Sequence, residues 1–311
     1  MKHILFMITC FFNLMLWAQQ SNLLLADPTI FEYDETYYAY GTKENKSITG
    51  EGFLVYTSTD LEHWDGPKGA TDGFAFKKGD GYGTTGFWAP QVFKYQDKFF
   101  MAYTADEHIA IASSKSPLGP FTNNGSALPS DVRQIDPFVF FDDDKIYLYH
   151  VRLDKGNRIF VAELNNNLSA IKPETLTECI YAGKGWEDTE KVEWPVTEGP
   201  TVFKRDKNYY LLYSANDFRN KDYAVGYAIA TSPFGPWKKS DHSPIISQSL
   251  LGYPGTGHGD VFYNTKGDMY YVLHTHFSEN NVAPRKTAIL KLKLKKQKIF
   301  IRSKSLKWLQ L

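Results

Sequence analysis

A short pattern recurs five times along this chain of 311 residues. Each copy begins with an acid, an alanine or a histidine that is followed closely by proline, or by glycine in the fifth copy, and continues as a short strand. A polar turn and a run rich in tyrosine and phenylalanine complete it. The copies begin at residues 27, 89, 136, 198 and 258. Strand-forming residues on both sides of a polar turn predict a β-hairpin in each copy.

The spacing of the copies predicts how the hairpins are arranged. The prolines at 28, 90, 137 and 200 and the glycine at 259 lie 47 to 63 residues apart, and one or two more strand-like runs follow each hairpin. Repetition of several strands at such intervals is typical of β-propellers. We therefore predict an all-β chain that forms a five-bladed β-propeller, in which the innermost strands line a central channel.

The first part of the chain reads as a secretory signal and not as part of the fold. A basic start, the apolar run 4–17 and a cleavage site near Ala18 form the usual signal pattern. The run is too short for a comfortable membrane span. We expect residues 1–20 to be a signal peptide and residues 21–311 to be a single propeller domain, in a protein that is secreted or periplasmic.

The charge balance narrows the class of partner. The chain contains 35 basic and 35 acidic side chains, which gives no broad attraction to nucleic acid or anionic membranes. Aromatic residues make up 16% of the chain, so rings are available to stack on a flat apolar ligand face. We expect a monomer that acts on a neutral partner, with no nucleic acid and no membrane span.

Three of the five repeats begin with an acid: Asp27, Asp136 and Glu198. In a propeller, residues at repeat heads converge on the channel although they lie far apart in sequence. Hydrolysis of a glycosidic bond with inversion requires one carboxyl to protonate the leaving oxygen and another to activate water, and a third acid can raise the proton affinity of the first. Acids beside proline are also ordinary turn residues. Their occurrence at the same repeat position favours a functional site over turn chemistry.

The motifs around these acids resemble glycoside hydrolase family 43 over nearly all of the chain after residue 20. The motifs are Asp27-Pro28, Phe87-Trp88-Ala89-Pro90, Asp136-Pro137, Glu198-Gly199-Pro200, Tyr213-Ser214-Ala215-Asn216 and Gly255-Thr256-Gly257-His258. Members of that family are five-bladed propellers that invert the anomeric centre. They act mainly on plant polysaccharides and oligosaccharides that contain arabinose or xylose, and some branches act on galactan.

The resemblance implies roles for particular residues. Asp27 is expected to be the general base, Glu198 the general acid, and Asp136 the acid that tunes Glu198 and orients the substrate. Arg285 matches a sugar-binding arginine, and His258 matches a histidine of the central channel that contributes to substrate binding. No cofactor is expected to be required. A structural calcium ion in the channel, held by His258 through water, is left open.

Aromatic residues near the repeat heads are candidates for sugar binding. These are Phe87, Trp88, Trp186 and Trp194. Trp88 could equally form the floor of a pocket or part of a blade core. Trp186 and Trp194 lie in an insertion, where a tryptophan packs against its own loop as often as it rims a site. The insertions 66–87 and 172–197 lead into the second and fourth heads. We expect them to build the walls of a pocket that is closed at one end.

Two departures from related patterns bear on the mechanism. Gln91 follows Trp-Ala-Pro where many relatives have an acid or a histidine, which changes a contact in the channel. Sister propeller families that act on sucrose and fructans use a covalent nucleophile and open with Asn-Asp-Pro-Asn, whereas Ala26 precedes Asp27 here. Those families also carry their acid in a Glu-Cys motif, but the Glu178-Cys179 pair of this chain lies outside any repeat head. The resemblance therefore implies inversion.

The leading hypothesis is an exo-acting α-L-arabinofuranosidase. A β-xylosidase and an endo-acting xylanase or arabinanase remain open, and endo action would need an open cleft across the propeller. A non-catalytic sugar-binding propeller is the alternative from a different class. Three intact acids disfavour it, because a binding module has no need for a general acid.

Overall fold

The five repeats form antiparallel sheets arranged around a central channel. The computed structural model describes residues 21–183 and 185–311, which form a five-bladed β-propeller. The prediction of an all-β, five-bladed propeller is confirmed. The predicted signal peptide at 1–20 lies outside the described residues.

The strands of each blade follow one another along the chain. Blade 1 contains β1 (Leu25–Tyr33), β2 (Thr36–Lys43) and β4 (Tyr56–Ser58), and beside it β3 (Gly52–Leu54) and β5 (Phe74–Lys77) form a separate two-stranded sheet. Blade 2 contains β6 (Trp88–Tyr95), β7 (Lys98–Ala105) and β8 (His108–Ser114). Blade 3 contains β9 (Gln134–Asp142), β10 (Lys145–Leu153), β11 (Asn157–Leu164) and β12 (Thr177–Ile180). Blade 4 contains β13 (Thr197–Arg205), β14 (Asn208–Ala215), β15 (Ala224–Ala230) and β16 (Lys238–Lys239). Blade 5 contains β17 (Gly257–Tyr263), β18 (Met269–Thr275), β19 (Lys286–Lys295), β20 (Lys298–Ile301) and β21 (Lys307–Trp308).

Helical structure is confined to short connections among the described residues. These are α1 (Gln248–Leu251) and the 3₁₀ turns Pro173–Thr175, Gly185–Glu187 and Ser303–Ser305. None of the helices in the described part of the chain is long and apolar enough to cross a membrane.

The innermost strands β1, β6, β9, β13 and β17 carry the repeat heads. Each contacts the next, and β17 contacts β1, so the five form a closed ring. The two ends of the described chain help to close it. The Leu23 N–H donates to the Leu309 carbonyl at 2.8 Å, the Thr287 N–H donates to the Leu23 carbonyl at 3.1 Å, and β21 pairs with β19. The segment before β1 is thereby bound to the last blade.

Each innermost strand is irregular at its head. The pairing register shifts at this point in all five blades. One residue there has a positive φ in every blade: Asp27 (47°), Ala89 (45°), Asp136 (54°), Gly199 (57°) and His258 (35°). Such bulges bend a strand and redirect side chains, and they are common near active sites. The repeat heads therefore present side chains at the mouth of the channel.

The prediction that the three acids share one repeat position is wrong for Glu198. The residue of β13 that corresponds to Asp27 and Asp136 is Gly199, and Glu198 lies one residue earlier. Trp88 occupies that earlier position in β6. A one-residue change of register alters which way a side chain points, so Glu198 reaches the channel mouth from a backbone position different from that of the two aspartates.

The insertion 66–87 contributes Phe74, Phe76 and Phe87 to the hydrophobic core and does not line the site. Its strand β5 pairs with β3, and the side chains of Phe74 and Phe76 are fully buried. Among the described residues, none from 66 to 87 lines the pocket that holds the acids. The prediction of a pocket wall here is wrong, because Phe76 and Phe87 pack between blades 1 and 2 and Phe74 packs in the cluster shared by blades 1 and 5.

Candidate active site

Asp27, at the head of β1, is held by hydrogen-bond donors and by one cation. Arg285 Nη1 lies 3.2 Å from Asp27 Oδ1, and the Thr42 hydroxyl donates to Oδ2 at 2.6 Å. The Asp27 N–H donates to His274 Nδ1 at 3.1 Å, which leaves that nitrogen without a proton. Burial alone would raise the pKa of the Asp27 carboxyl, but the Arg285 guanidinium, two nearby imidazoles and Thr42 hold it well below its usual range. Asp27 is therefore ionised at neutral pH.

The pKa of Glu198, near the start of β13, is shifted in the opposite direction to that of Asp27. The Tyr223 hydroxyl lies 2.8 Å from Glu198 Oε1, and Asn157 Nδ2 donates to Oε2 at 3.0 Å. Burial, reinforced by the negative charges of Asp27 and Asp217, outweighs these hydrogen bonds and raises the pKa of Glu198 to about 7. Much of Glu198 therefore carries a proton at neutral pH.

Asp136, at the head of β9, lies directly beside the backbone that follows Glu198. Its Oδ2 accepts the Gly199 N–H at 3.1 Å, and its own N–H donates to Thr104 Oγ1 at 2.9 Å. Burial, followed by repulsion from Glu198 and Asp27, raises the pKa of Asp136 well above its usual range. The structure thus brings the three acids together, with Asp27 ionised and the other two favouring the protonated form.

His258, at the head of β17, lies between the two aspartates. Its ring Nδ1 is 3.3 Å from Asp27 Oδ1 and 3.9 Å from Asp136 Oδ2. Its backbone N–H donates to Ser214 Oγ at 2.8 Å. Burial lowers the pKa of the imidazole. The ring packs against Gly199, where a Cβ atom would lie 2.7 Å from a ring carbon. Glycine is required there both for this contact and for the positive φ.

The channel below the acids offers no direct set of metal ligands. Within 21–183 and 185–311, no three His, Cys, Asp or Glu side chains converge on one point. Asp260 accepts hydrogen bonds from the hydroxyls of Thr29 and Thr201, and the Gln91 amide bonds the backbone of β9 in the neighbouring blade. These oxygens already have partners, so they do not suggest a site for a bare cation. The calcium ion held through water by His258 stays a prediction.

The acids face a pocket of about 320 Å³, a volume within the range of small-ligand sites. Its aromatic lining consists of Trp88, Trp194 and Phe218, and its polar lining beside the acids includes Asn157, Asp217 and Arg285. Aromatic faces with a few convergent polar groups suit the binding of a sugar ring.

Of the two aromatics that precede the second repeat head, only Trp88 reaches this pocket. Trp88 is 38% exposed and contributes to the lining. Phe87 is buried and packs edge-on against Phe53, with the ring centroids 6.1 Å apart. The prediction of Phe87 as a substrate-binding residue is contradicted by this packing, because adjacent residues of an extended chain point to opposite sides.

The second insertion divides its two tryptophans between pocket and core. Trp194 is 45% exposed and lines the pocket. Trp186 lies in the 3₁₀ turn Gly185–Glu187 and packs against Tyr213, with the ring centroids 5.9 Å apart. The insertion 172–197 therefore builds part of the pocket, as predicted, but through Trp194 and Val196 and not through Trp186.

Arg285 lies just before β19 and is shared between two carboxylates. Its Nε and Nη2 atoms are 2.9 Å and 2.7 Å from Glu44 Oε1, and its Nη1 contacts Asp27. The guanidinium also lies over the Phe218 ring, 4.6 Å from the centroid. Arg285 lines the pocket, and its position makes it the cation that keeps Asp27 ionised.

Sequence reasoning missed three residues next to Glu198. Asn157 begins β11 in the neighbouring blade, and Asp217 and Tyr223 lie between β14 and β15. None of them heads a repeat. The nearest signal was the Tyr213-Ser214-Ala215-Asn216 motif, which ends immediately before Asp217. Their approach to Glu198 depends on how adjacent blades and loops pack.

Asp27 and Glu198 differ in proton affinity as the two carboxyls of a glycosidase must, and both face one pocket at the mouth of a propeller. These are the properties that acid–base hydrolysis of a glycosidic bond requires of a site. The model of glycosyl hydrolases family 43 matches residues 21–300, and the chain belongs to this family. The resemblance inferred from the motifs is confirmed.

Known proteins with similar chains agree with this assignment. A solved structure described as an endo-1,4-beta-xylanase from Bacteroides thetaiotaomicron VPI-5482 is 38% identical, with a TM-score of 0.87, over 94% of this chain and 98% of that one. A thermostable family-43 glycoside hydrolase is 32% identical, with a TM-score of 0.80, over 89% and 92% of the two chains. A xylosidase/arabinosidase of Butyrivibrio fibrisolvens is 26% identical over 79% of this chain. The match spans only 48% of that relative's length.

Proposed function

We propose that the protein hydrolyses glycosidic bonds in arabinose- or xylose-containing plant polysaccharides with inversion of the anomeric centre. Ionised Asp27 would remove a proton from the water that attacks the anomeric carbon. Protonated Glu198 would give its proton to the departing oxygen. The observation that carries this proposal is the opposite displacement of the two pKa values within one pocket.

The remaining groups of the site support these two roles. Arg285 and Thr42 bind the Asp27 carboxylate and so keep it ionised and oriented toward the pocket. Asp136 is buried beside the Glu198-Gly199 peptide and accepts the Gly199 N–H, so it holds the backbone that carries Glu198. Ala26 precedes Asp27, so the opening motif of the retaining sister families is missing.

The pH dependence of kcat/KM tests these protonation states. Glu198 must be protonated, and its pKa is raised to about 7, so activity is expected to fall as pH rises through about 7. Asp27 must be ionised, and its pKa is lowered, so the acidic limb is expected below the usual range of an aspartate. The measurement is kcat/KM on an aryl arabinofuranoside across the pH range. A basic limb near the ordinary pKa of a glutamate would contradict the assignment of Glu198.

The activity we propose first is that of an exo-acting α-L-arabinofuranosidase. The pocket has room for a small ligand, and Trp194, Val196 and Phe218 are among its lining residues. A groove lined by Glu190, Val192, Arg219 and Asn220 adjoins the pocket, because both share Trp194 and Asp217 as lining residues. In exo action a terminal arabinose would occupy the pocket, and the polymer from which it is cleaved would lie in the groove.

The same groove favours a second candidate, an endo-acting xylanase or arabinanase. A groove that continues from a pocket can accommodate several sugars of a chain. The chain is also 38% identical to the structure described as an endo-1,4-beta-xylanase. Endo action would further require the bound chain to leave the pocket on a second side.

The products formed in the first minutes distinguish the two candidates. With linear arabinan, branched arabinan and arabinoxylan as substrates, we expect monomeric arabinose from the earliest time point. Proton NMR should show the inverted anomer before mutarotation sets in. Early release of mixed oligosaccharides would favour the endo-acting candidate, monomeric xylose would favour a β-xylosidase, and a retained anomer would overturn inversion.

A further inference from the structure

Asn157 binds the segment that leads into Glu198 through both its backbone and its side chain. Its N–H donates to the Pro195 carbonyl at 2.9 Å, and its own carbonyl accepts the Thr197 hydroxyl at 3.0 Å. Its side-chain amide contacts Trp194 Nε1 at 2.9 Å and Glu198 Oε2 at 3.0 Å. One residue of blade 3 thus binds the segment 194–198, which ends at the acid of blade 4.

The backbone next to Asn157 permits this close contact. Gly156 has a φ of 125°, and a Cβ atom there would lie 2.6 Å from the Pro195 carbonyl oxygen. A larger residue would push the two segments apart. A parallel bridge between Asn157 and Val196 holds them in register, so the amide of Asn157 is positioned by the backbone as well as by its own hydrogen bonds.

The chemistry of the partners determines which way the Asn157 amide points. An indole N–H is only a donor, so the atom that faces Trp194 must be the amide oxygen. The amide nitrogen, which is only a donor, then faces Glu198. If Trp194 did not donate, the amide could rotate and present its oxygen to Glu198. Asn157 therefore donates to the acid because Trp194 donates to Asn157.

We propose that Trp194 and Asn157 form a positioning pair that holds the Glu198 carboxyl and links it to the aromatic lining of the pocket. This inference rests on the proposed function in that Glu198 is taken to be the general acid. Trp194 would be both a surface for the sugar ring and the donor that orients Asn157. A sugar that contacts the exposed indole would thus affect the hydrogen bond that Asn157 donates to Glu198, the carboxyl that must protonate the leaving oxygen.

Ionisable groups from several elements line the pocket with Glu198 or bind it directly. They are Asp27 of β1, Asp136 of β9, Asp217 and Tyr223 from the β14–β15 connection, His258 of β17 and Arg285 before β19. A donor to the carboxylate favours its ionised form and so opposes the repulsion from the aspartates. Loss of the Asn157 donor should therefore make Glu198 harder to ionise.

The first test compares Trp194→Phe with Trp186→Phe. Trp194→Phe keeps an aromatic ring but removes the N–H, so the Asn157 amide is free to rotate. We expect the basic limb of kcat/KM to move to higher pH by about one unit, with KM rising less than in Trp194→Ala. Trp186→Phe makes the same change in the same insertion at a residue that, in the described part of the chain, does not line the pocket of Glu198, and should leave the limb in place. An unmoved limb in Trp194→Phe would overturn the proposal.

Asn157→Ala provides the second arm. It removes the donor directly and should also move the limb to higher pH. Because the two residues act in series, adding Trp194→Phe to Asn157→Ala should cause little further movement. Additive shifts would mean that Trp194 acts on the site by another route and would overturn the pair.

A measurement that needs no turnover separates this inference from the proposed function. The Trp194 indole N–H resonance, identified by its loss in Trp194→Phe, should titrate with Glu198 in the wild-type protein. It should not titrate in Glu198→Gln or in Asn157→Ala. Titration that persists in Glu198→Gln would overturn the link. Failure of the acid role would instead appear as a Glu198→Gln enzyme that does not discriminate between leaving groups, whatever the resonance does.

Discussion

Asp27→Asn is expected to abolish hydrolysis of every substrate, lowering kcat/KM by about 10⁴-fold, the upper range for a positioned proton-transfer group. Water must be activated whatever the leaving group is, so activated aryl glycosides and natural polymers should lose activity alike. The amide is nearly isosteric with the carboxyl, but it cannot accept the proton of the attacking water. Initial rates on an aryl arabinofuranoside and on arabinan measure the effect.

Asp260→Asn is the matched control for this substitution. Asp260 is also a buried aspartate, with a pKa raised to about 6. It lies deeper in the channel, bound to Thr29 and Thr201, and does not line the pocket. We expect it to retain most of the activity. Substantial hydrolysis by Asp27→Asn, or equal losses in the two variants, would remove Asp27 from the role of base.

Glu198→Gln is expected to discriminate between leaving groups. A poor leaving group needs a proton as the bond breaks, so kcat/KM on natural linkages should fall by about 10³-fold. An aryl glycoside whose phenol departs as a stable anion needs little protonation and should lose less than about tenfold. The ratio of the two losses, measured at the pH optimum, is the decisive quantity.

Glu187→Gln serves as the control for Glu198→Gln. Glu187 is another buried glutamate; it lies in the insertion 172–197 and is bound to the Tyr213 hydroxyl of β14 and to Lys239 of β16. Its substitution is expected to act on stability and to change the activity on both substrates in the same proportion. If Glu198→Gln also reduced both activities equally, another group would have to supply the proton.

Much of the fold was predictable because its determinants are local. The proline or glycine at each repeat head, the polar turn and the aromatic second strand are each readable within about ten residues, and their fivefold recurrence implies a ring. The error at 66–87 has the same origin. A segment rich in Gly, Asp and Lys reads as a loop, and only tertiary packing shows that Phe74 and Phe76 belong to the core.

The site was predictable to the extent that its residues are repeat heads. Asp27, Asp136 and His258 lie at the bulges of three innermost strands, and Glu198 was found by its motif although its register differs. Phe87 was misjudged, and Trp186 was left open, because an aromatic residue beside a motif reads the same whether it faces the pocket or the core. Asn157 gave no signal, since its amide meets Glu198 only where blades 3 and 4 adjoin.

The amino-acid sequence by itself determined the number of blades, the acids near their heads and the family. Each of these follows from short patterns of neighbouring residues, which either recur along the chain or match the motifs of a family. The tertiary structure decided how these acids differ in proton affinity. Burial, the Arg285 charge near Asp27 and the carboxylates near Glu198 act across blades far apart in sequence. Electrostatic interactions depend on distance and on exclusion of water, and both are set only when the five blades close into a ring.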